Sequence, residues 1–132
     1  MNEAEVIQYI TGTFASVKVV DGWGDMFFYY NPSDTLPDEF YFASLKSKDD
    51  DYDKASNLNR PSTFRLNIGV GKQTYRLLFG EPSARPDADG NVDSSYDFTA
   101  IDQLLPHPIY GRQYWVCVIK PSEETVATVK PL

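Results

Sequence analysis

Cysteine and histidine are scarce in this chain of 132 residues, which contains one of each, Cys117 and His107. A single cysteine excludes an internal disulfide framework and a cysteine-based zinc site. A single histidine excludes sites that take two imidazoles from one chain, such as the H-E-x-x-H pattern. The longest apolar runs, Met26–Tyr30 and Tyr114–Ile119, have only strand length, so no membrane span is expected. We therefore predict neither a metal site nor a cofactor.

Basic residues are outnumbered, with 12 Lys and Arg against 19 Asp and Glu, and the net charge is −7. This balance argues against nucleic acid or an anionic membrane as the partner, because both attract an excess of Lys and Arg. The acidic N-terminus does not resemble a signal peptide, and with the lone cysteine it predicts a cytoplasmic location. Hydrophobic residues at 42% predict a folded chain, with one domain over residues 1–132.

Apolar spacing and terminal signals predict four helices. Asn2 and Glu5 form a capping box before the first helix, which we expect to end between Thr11 and Phe14. A middle helix over Lys72–Phe79 is followed by Gly80, a typical residue at the end of a helix. The other two predictions are a short helix over Phe98–Leu105, capped by Asp97, and a final helix over Ser122–Val129, capped by Ser122.

Five segments have strand character because they are rich in β-branched or aromatic residues. They are Val17–Val20, Asp25–Tyr30, Glu39–Leu45, Thr63–Ile68 and Tyr114–Ile119. Short connections between successive strands favour hairpins. The predicted fold class is therefore α+β: two layers, with a mainly antiparallel sheet of about five strands covered by N-terminal, middle and C-terminal helices. In Thr63–Ile68 the apolar positions alternate with polar ones, which is typical of a half-buried strand.

The segment Gly69-Val70-Gly71-Lys72 suggests an anion site, although it does not fit the phosphate-loop pattern. Leu66 replaces the first glycine of that pattern, and Gln73 replaces its Ser or Thr. Backbone N–H groups at the start of a helix, together with Lys72, are still compatible with a local carboxylate or phosphate site. Arg65 and Asn67 lie on one side of the preceding strand and would contribute to it. In the alternative interpretation, Arg65 pairs with one of the acids.

The only histidine, His107, lies between two prolines that stiffen its loop, with Tyr110 and Arg112 close behind. Its ordinary pKa suits proton transfer at neutral pH, so a small enzyme that uses His107 as acid or base is one hypothesis. The competing interpretation is a structural loop histidine. Cys117 lies in an apolar strand and is expected to be an inert core thiol.

Acidic and aromatic clusters each allow two interpretations. Asp49, Asp50, Asp51 and Asp53 are oxygen ligands of the kind that Ca²⁺ prefers, but a solvated acidic loop is the favoured interpretation. The segment Asp87–Asp93 fails the EF-hand pattern, because Val92 and Phe98 occupy its Gly and Glu positions. Aromatic residues concentrate in Trp23–Tyr30 and Phe40–Phe42, which predicts either an exposed binding or homodimer surface or a two-sided core.

Several stretches carry a resemblance to known families: Gly22-Trp23-Gly24-Asp25, Phe64–Lys72, and Leu105-Pro106-His107-Pro108 followed by Trp115–Val118. They resemble an uncharacterised bacterial family, one of the domains of unknown function, which implies no activity. A weaker resemblance is to the MmcQ/YjbR-like proteins, whose double-wing fold implies DNA binding. Such a role needs a basic face, and the net charge of −7 argues against it.

The leading hypothesis is a non-catalytic module that binds a small ligand or a protein. The predicted site residues are Trp23, Asp25, Arg65, Asn67, Lys72, His107 and Tyr110. The expected partner is a small anionic or aromatic molecule or another protein, and a homodimer is left open. The alternatives are nucleic-acid binding, by analogy with the MmcQ/YjbR-like proteins, and a small enzyme that uses His107.

Overall fold

The computed structural model describes residues 2–13, 17–22, 25–30, 41–49, 53–60, 62–81 and 96–129. Some expectations lie outside these ranges: the site residue Trp23, the acids Asp50 and Asp51, the start of the third predicted strand, and the loop over residues 82–95.

One antiparallel sheet organises the described part of the chain. Its strands are β1 (Val17–Gly22), β2 (Asp25–Tyr30), β3 (Ala43–Lys46), β4 (Arg65–Gly69), β5 (Leu105–Pro106) and β6 (Trp115–Ile119). They lie in the order β1-β2-β3-β4-β6-β5, and neighbouring strands pair antiparallel throughout. The predicted α+β class is confirmed. The sheet has one strand more than expected because the two-residue β5 adds an edge beside β6.

Three helices lie where the sequence predicted them: α1 (Glu3–Thr13), α2 (Lys72–Phe79) and α3 (Glu123–Val129). The capping box forms, since the Glu5 backbone N–H donates to Asn2 Oδ1 at 2.8 Å and the Asn2 N–H donates to Glu5 Oε1 at 3.2 Å. Gly80 ends α2 with a φ of 77°, which favours glycine. In the described ranges, no helix has both the length and the apolar character needed to cross a bilayer.

The predicted helix over Phe98–Leu105 is wrong. Asp97 does act as a local cap, because its Oδ1 accepts the Thr99 backbone N–H at 3.0 Å, but it closes a turn and not a helix. After this turn Ile101 forms a β-bridge with Ile119, and Leu105 pairs with Cys117 of β6. Pairing with an exposed strand edge therefore replaces the helix that the local signals favoured.

One face of the sheet forms the main hydrophobic core with α1. Side chains that oppose each other in neighbouring antiparallel strands point to the same face. Leu45 of β3, Leu66 of β4 and Val118 of β6 are matched in this way. They are buried together with Val6 and Ile10 of α1. The opposite face of the sheet has a different composition.

Candidate functional site

The sheet face turned away from α1 carries rows of polar side chains that the register brings side by side. Asp25 opposes Lys46, and Lys46 opposes Arg65. In the next row Ser44 opposes Asn67, and Asn67 opposes Cys117. Because β2, β3, β4 and β6 are adjacent, these side chains form one continuous polar strip across the sheet.

Arg65 is the centre of this strip and is wholly shielded from solvent, with 0% of its surface exposed. Its Nη1 donates to Asp53 Oδ1 and to Ser56 Oγ, each at 2.9 Å, and its Nη2 contacts Asp53 Oδ2. Its Nε donates to Asn67 Oδ1 at 2.6 Å, and Asn67 in turn donates to Ser44 Oγ at 3.0 Å. The bidentate contact with the carboxylate matches the planar geometry of the guanidinium group.

The buried Arg65–Asp53 pair decides between the two interpretations of Arg65. Hydrogen bonds to Asp53, Ser56 and Asn67 and the contact with His107 occupy the edges of the guanidinium group. An anion would have to displace one of these partners, so the geometry favours pairing with an acid. The expectation that β4 is half-buried is wrong, because Arg65 and Asn67 are buried on its second face. Asp53 is also buried and does not belong to a solvated loop.

His107 contacts the same network and is 3% exposed. Its Nδ1 accepts the backbone N–H groups of Ile109 at 3.1 Å and Tyr110 at 3.0 Å, at the start of the 3₁₀ turn Tyr110–Gln113. The second ring nitrogen, Nε2, lies 3.1 Å from Arg65 Nη2 and 3.7 Å from Asp53 Oδ2, and its role as donor or acceptor depends on the tautomer.

Electrostatics keep this imidazole neutral. Burial lowers the pKa of His107 well below its ordinary value of 6.5, and the positive charges of Arg65 and Lys46 lower it further. The ring therefore supplies the Nδ1 lone pair to two backbone amides, while Nε2 faces Arg65 and Asp53. In this geometry His107 orients the turn at Tyr110, which favours its interpretation as a structural loop histidine.

Lys72, the remaining cation of the predicted anion site, does not join the network. It is exposed at the first position of α2. Two of the backbone amides expected to serve an anion are already used: the Gly69 N–H donates to the Phe42 carbonyl at 2.9 Å, and the Val70 N–H donates to the Tyr114 carbonyl at 3.0 Å. The glycine at position 69 makes room for Trp115, because an added Cβ would lie 3.0 Å from the indole ring.

The basic segment from Arg60 to Arg76 does not form a continuous cationic surface. The guanidinium group of Arg60 donates to three backbone carbonyls, including that of Thr99 at 3.1 Å. Arg76 forms an ion pair with Glu81. Three of the four cations of this segment, Arg60, Arg65 and Arg76, therefore contact other groups of the fold, whereas Lys72 is exposed.

Asp25 and Lys46 form the outer ion pair of the polar strip, with Lys46 Nζ 3.6 Å from Asp25 Oδ2. The side chain of Asp25 is the more exposed partner, with 21% accessible against 8% for Lys46. Oδ1 of Asp25 is nevertheless shielded from solvent, so much of this ion pair is covered by the fold.

The thiol of Cys117 lies beside Asn67 in the same strip and is buried. Burial raises the pKa of Cys117 to about 12, so the thiolate needed for a nucleophile does not form at neutral pH. The Sγ atom is 3.6 Å from the Pro106 carbonyl oxygen. These observations agree with the expected inert core thiol.

Beyond the polar strip, the same sheet face carries a group of rings that we call the aromatic patch, made up of Phe27, Tyr29, Tyr41, Tyr110 and Trp115. Tyr41 is its centre, with ring centroids 4.8 Å from Phe27, 5.8 Å from Tyr29 and 5.5 Å from Trp115. Tyr41 is 37% exposed and Tyr110 is 51% exposed. Phe28 points to the opposite face of β2 and, unlike the rings of the patch, is wholly buried in the core with α1.

The surroundings of Tyr41 disfavour ionisation of its hydroxyl. Burial raises the pKa of Tyr41, and the neighbouring Tyr110, Tyr29 and Asp25 raise it further. Tyr110 connects the patch to the interior, because its ring centroid is 5.0 Å from that of His107. The aromatic patch is therefore supported from below by the buried Arg65 network.

The predicted site residues are thus divided by the fold. Arg65, Asn67 and His107 meet in the buried network, whereas Asp25 and Tyr110 lie nearer the aromatic patch. Lys72 is separate, and Trp23 lies outside the described residues. Sequence reasoning missed Ser44, Lys46 and Ser56, and it placed Asp53 in an acidic loop and not beside Arg65. If the pairing of β3 with β4 had been predicted, two of the missed residues could have been found. In that register Ser44 lies opposite Asn67 and Lys46 lies opposite Arg65.

The fold and site define a small α+β protein with a buried ion-pair network beneath a partly exposed aromatic surface. In the described ranges, no group of three or more His, Cys, Asp or Glu side chains is arranged to hold a metal ion. The chain matches the model of DUF6194, a family of unknown function, over residues 1–132, and belongs to that family. No curated protein and no solved structure matches it.

Proposed function

We propose that this protein is a non-catalytic binding module and that its ligand surface is the aromatic patch. The observation that carries the proposal is the position of Tyr41, which is partly exposed yet held by ring contacts with Phe27, Tyr29 and Trp115. Exposed rings on a fixed support offer a large contact area at a small entropic cost, which is typical of recognition surfaces.

The chemistry below the patch supports binding more than catalysis. The imidazole of His107 caps a turn, the thiol of Cys117 is buried, and Arg65 holds the carboxylate of Asp53. These groups stabilise one another and the surface above them. The lone, buried cysteine also supports a cytoplasmic location for the module.

A neutral aromatic probe tests this proposal without assuming the charge of the natural ligand. Benzyl alcohol is titrated into isotopically labelled protein, and amide and indole signals are followed by NMR. We expect saturable shifts at Tyr41, Tyr110 and Trp115, and their loss in Tyr41→Leu. Tyr9→Leu is the matched control, because Tyr9 packs against the core on the opposite face of the sheet.

The outcome that contradicts the proposal is equally specific. Shifts confined to the exposed side chains of Leu77 and Leu78 on α2 would place the apolar surface elsewhere. Shifts that persist in Tyr41→Leu would also exclude the patch. A mass of two chains in solution, reduced to one by Tyr41→Leu, would show that the patch is a homodimer contact.

A further inference from the structure

We propose that the aromatic patch selects ligands carrying an organic ammonium group. This inference rests on the proposed function and adds the charge of the ligand. It differs from the sequence-based expectation of an anionic partner, which depended on Arg65 and Lys72. Its evidence is the arrangement of rings, hydroxyl groups and one carboxylate on the same sheet face.

The first observation is the alternation along β2. Asp25, Phe27 and Tyr29 occupy every second position of this strand, so their side chains share a face. Phe27 and Tyr29 both contact the ring of Tyr41. The side chain of Asp25 therefore lies on the same face of the sheet as the rings that contact Tyr41.

The second observation is the charge of Asp25 beside Tyr41. Oδ1 of Asp25 is shielded from solvent and Oδ2 pairs with Lys46, but the charge of Asp25 still acts at the Tyr41 hydroxyl, whose pKa it raises. A cation over the Tyr41 ring is therefore attracted by Asp25, although Lys46 offsets part of this attraction. An anion in the same place would be repelled by Asp25.

The third observation is the character of the rings themselves. The faces of aromatic rings carry negative electrostatic potential and attract ammonium groups within about 6 Å of the ring centroid. The ring of Tyr41 is inclined by 65° to Phe27 and by 76° to Tyr29, so these rings present differently oriented faces and edges to one region. Tyr110, which is half exposed, adds another ring and a hydroxyl oxygen that accepts hydrogen bonds.

The charge of the whole chain acts in the same direction. A net charge of −7 favours the approach of cations at low salt. The buried network does not oppose this, because the positive charge of Arg65 is balanced by Asp53 and is shielded from solvent. Rings, carboxylate and overall charge thus agree on one class of ligand.

Three probes with the same ring and different charge test the inference: benzylammonium, benzyl alcohol and benzoate. Each is titrated at low and high salt, and dissociation constants are taken from the NMR shifts of the patch. We expect benzylammonium to bind about two- to fivefold more tightly than benzyl alcohol, as a cation–ring contact at an exposed site allows. We expect benzoate to bind most weakly, and added salt to reduce these differences.

Variants separate the contributions of ring and carboxylate. Tyr41→Phe keeps the ring and should retain the preference for benzylammonium, whereas Tyr41→Leu should abolish binding of both that cation and benzyl alcohol. Asp25→Asn should bring the ratio of the affinities for benzylammonium and benzyl alcohol closer to one. Tyr9→Leu again serves as the control for a tyrosine on the other face. Amide spectra establish that each variant is folded.

The results distinguish this inference from the proposed function. Equal affinity for benzylammonium and benzyl alcohol, or tighter binding of benzoate, would overturn the charge preference while retaining the patch as a binding surface. Failure of all three probes to bind there would overturn both. A short peptide with one lysine identifies the source of the ammonium group: tighter binding than benzylammonium assigns it to a protein side chain, and weaker binding assigns it to a free small molecule.

Discussion

The two faces of the sheet are buried by different kinds of contact. Under α1, Leu45, Leu66 and Val118 pack together through contacts that depend on shape and volume but not on direction. On the opposite face, Arg65 is buried by hydrogen bonds whose partners must be placed to within a few tenths of an ångström. The first face provides stability to the fold, and the second fixes the geometry beneath the aromatic patch.

The largest expected effect comes from removing the counter-ion of the second face. Asp53→Ala leaves the Arg65 charge buried without its carboxylate, which costs about 3–5 kcal/mol in the free energy of unfolding. Urea denaturation measures this loss. Glu124→Ala is the control, because this acid is exposed on α3.

The double variant Asp53→Leu with Arg65→Met sharpens this test. Replacing both charges removes the uncompensated ion, so the double variant should be more stable than Asp53→Ala. A loss of less than about 1 kcal/mol for Asp53→Ala would indicate a solvent-screened pair, and the contrast between the faces would then disappear.

On the first face, a loss of side-chain volume should cost more than a change of shape at the same volume. Leu45→Ala is expected to cost about 2–5 kcal/mol, because Leu45 is fully buried and a cavity remains. Leu45→Met keeps the volume and should cost less than about 1.5 kcal/mol. The corresponding conservative change on the second face, Arg65→Lys, should cost more than Leu45→Met, because lysine lacks the planar fork. Equal costs would contradict the comparison.

The smallest expected effect is a pH dependence carried by His107. Its pKa is lowered in the folded protein by burial and by Arg65 and Lys46, so below about pH 6.5 the unfolded chain takes up a proton that the folded chain does not. The free energy of unfolding should therefore fall as the pH decreases from about 7 to about 5, by at most about 1.4 kcal/mol per pH unit for one proton.

His107→Asn isolates this contribution. Its Oδ1 can replace Nδ1 as the acceptor for the Tyr110 backbone N–H, but the amide does not titrate. We expect a flatter pH profile for this variant in urea denaturation at a series of pH values. An unchanged slope would assign the pH dependence to another group and leave the imidazole without this role.

Much of the fold was predictable because its signals are local. The capping box of Asn2 and Glu5 and the φ of Gly80 depend on residues a few positions apart, and both formed as expected. The predicted helix over Phe98–Leu105 was wrong because the segment pairs with β6, which is distant in sequence. Local signals carry no information about such pairing. Alternation along β4 correctly separated Leu66 from Arg65 but could not show that both sides are covered.

The candidate site was predictable only in part. Arg65, Asn67 and His107 stood out by residue type, and they do meet. Asp53 was one acid among 19, and nothing in its sequence neighbours distinguishes it from the other acids of its segment. The concentration of aromatic residues in the patch was visible in the sequence. Which rings are exposed could not be predicted, because Trp115 and the turn at Tyr110 are distant in sequence from Tyr41.

By itself, the amino-acid sequence determined the helices, most strands and the acidic character of this DUF6194 protein, since propensity, capping and alternation act over a few residues. Only the tertiary structure decided how charge is distributed between interior and surface. Arg65 selects a carboxylate 12 positions away and contacts an imidazole 42 positions away. The packing of strands and loops determines these partners, because a buried charge needs a counter-charge close to it in space and not in sequence.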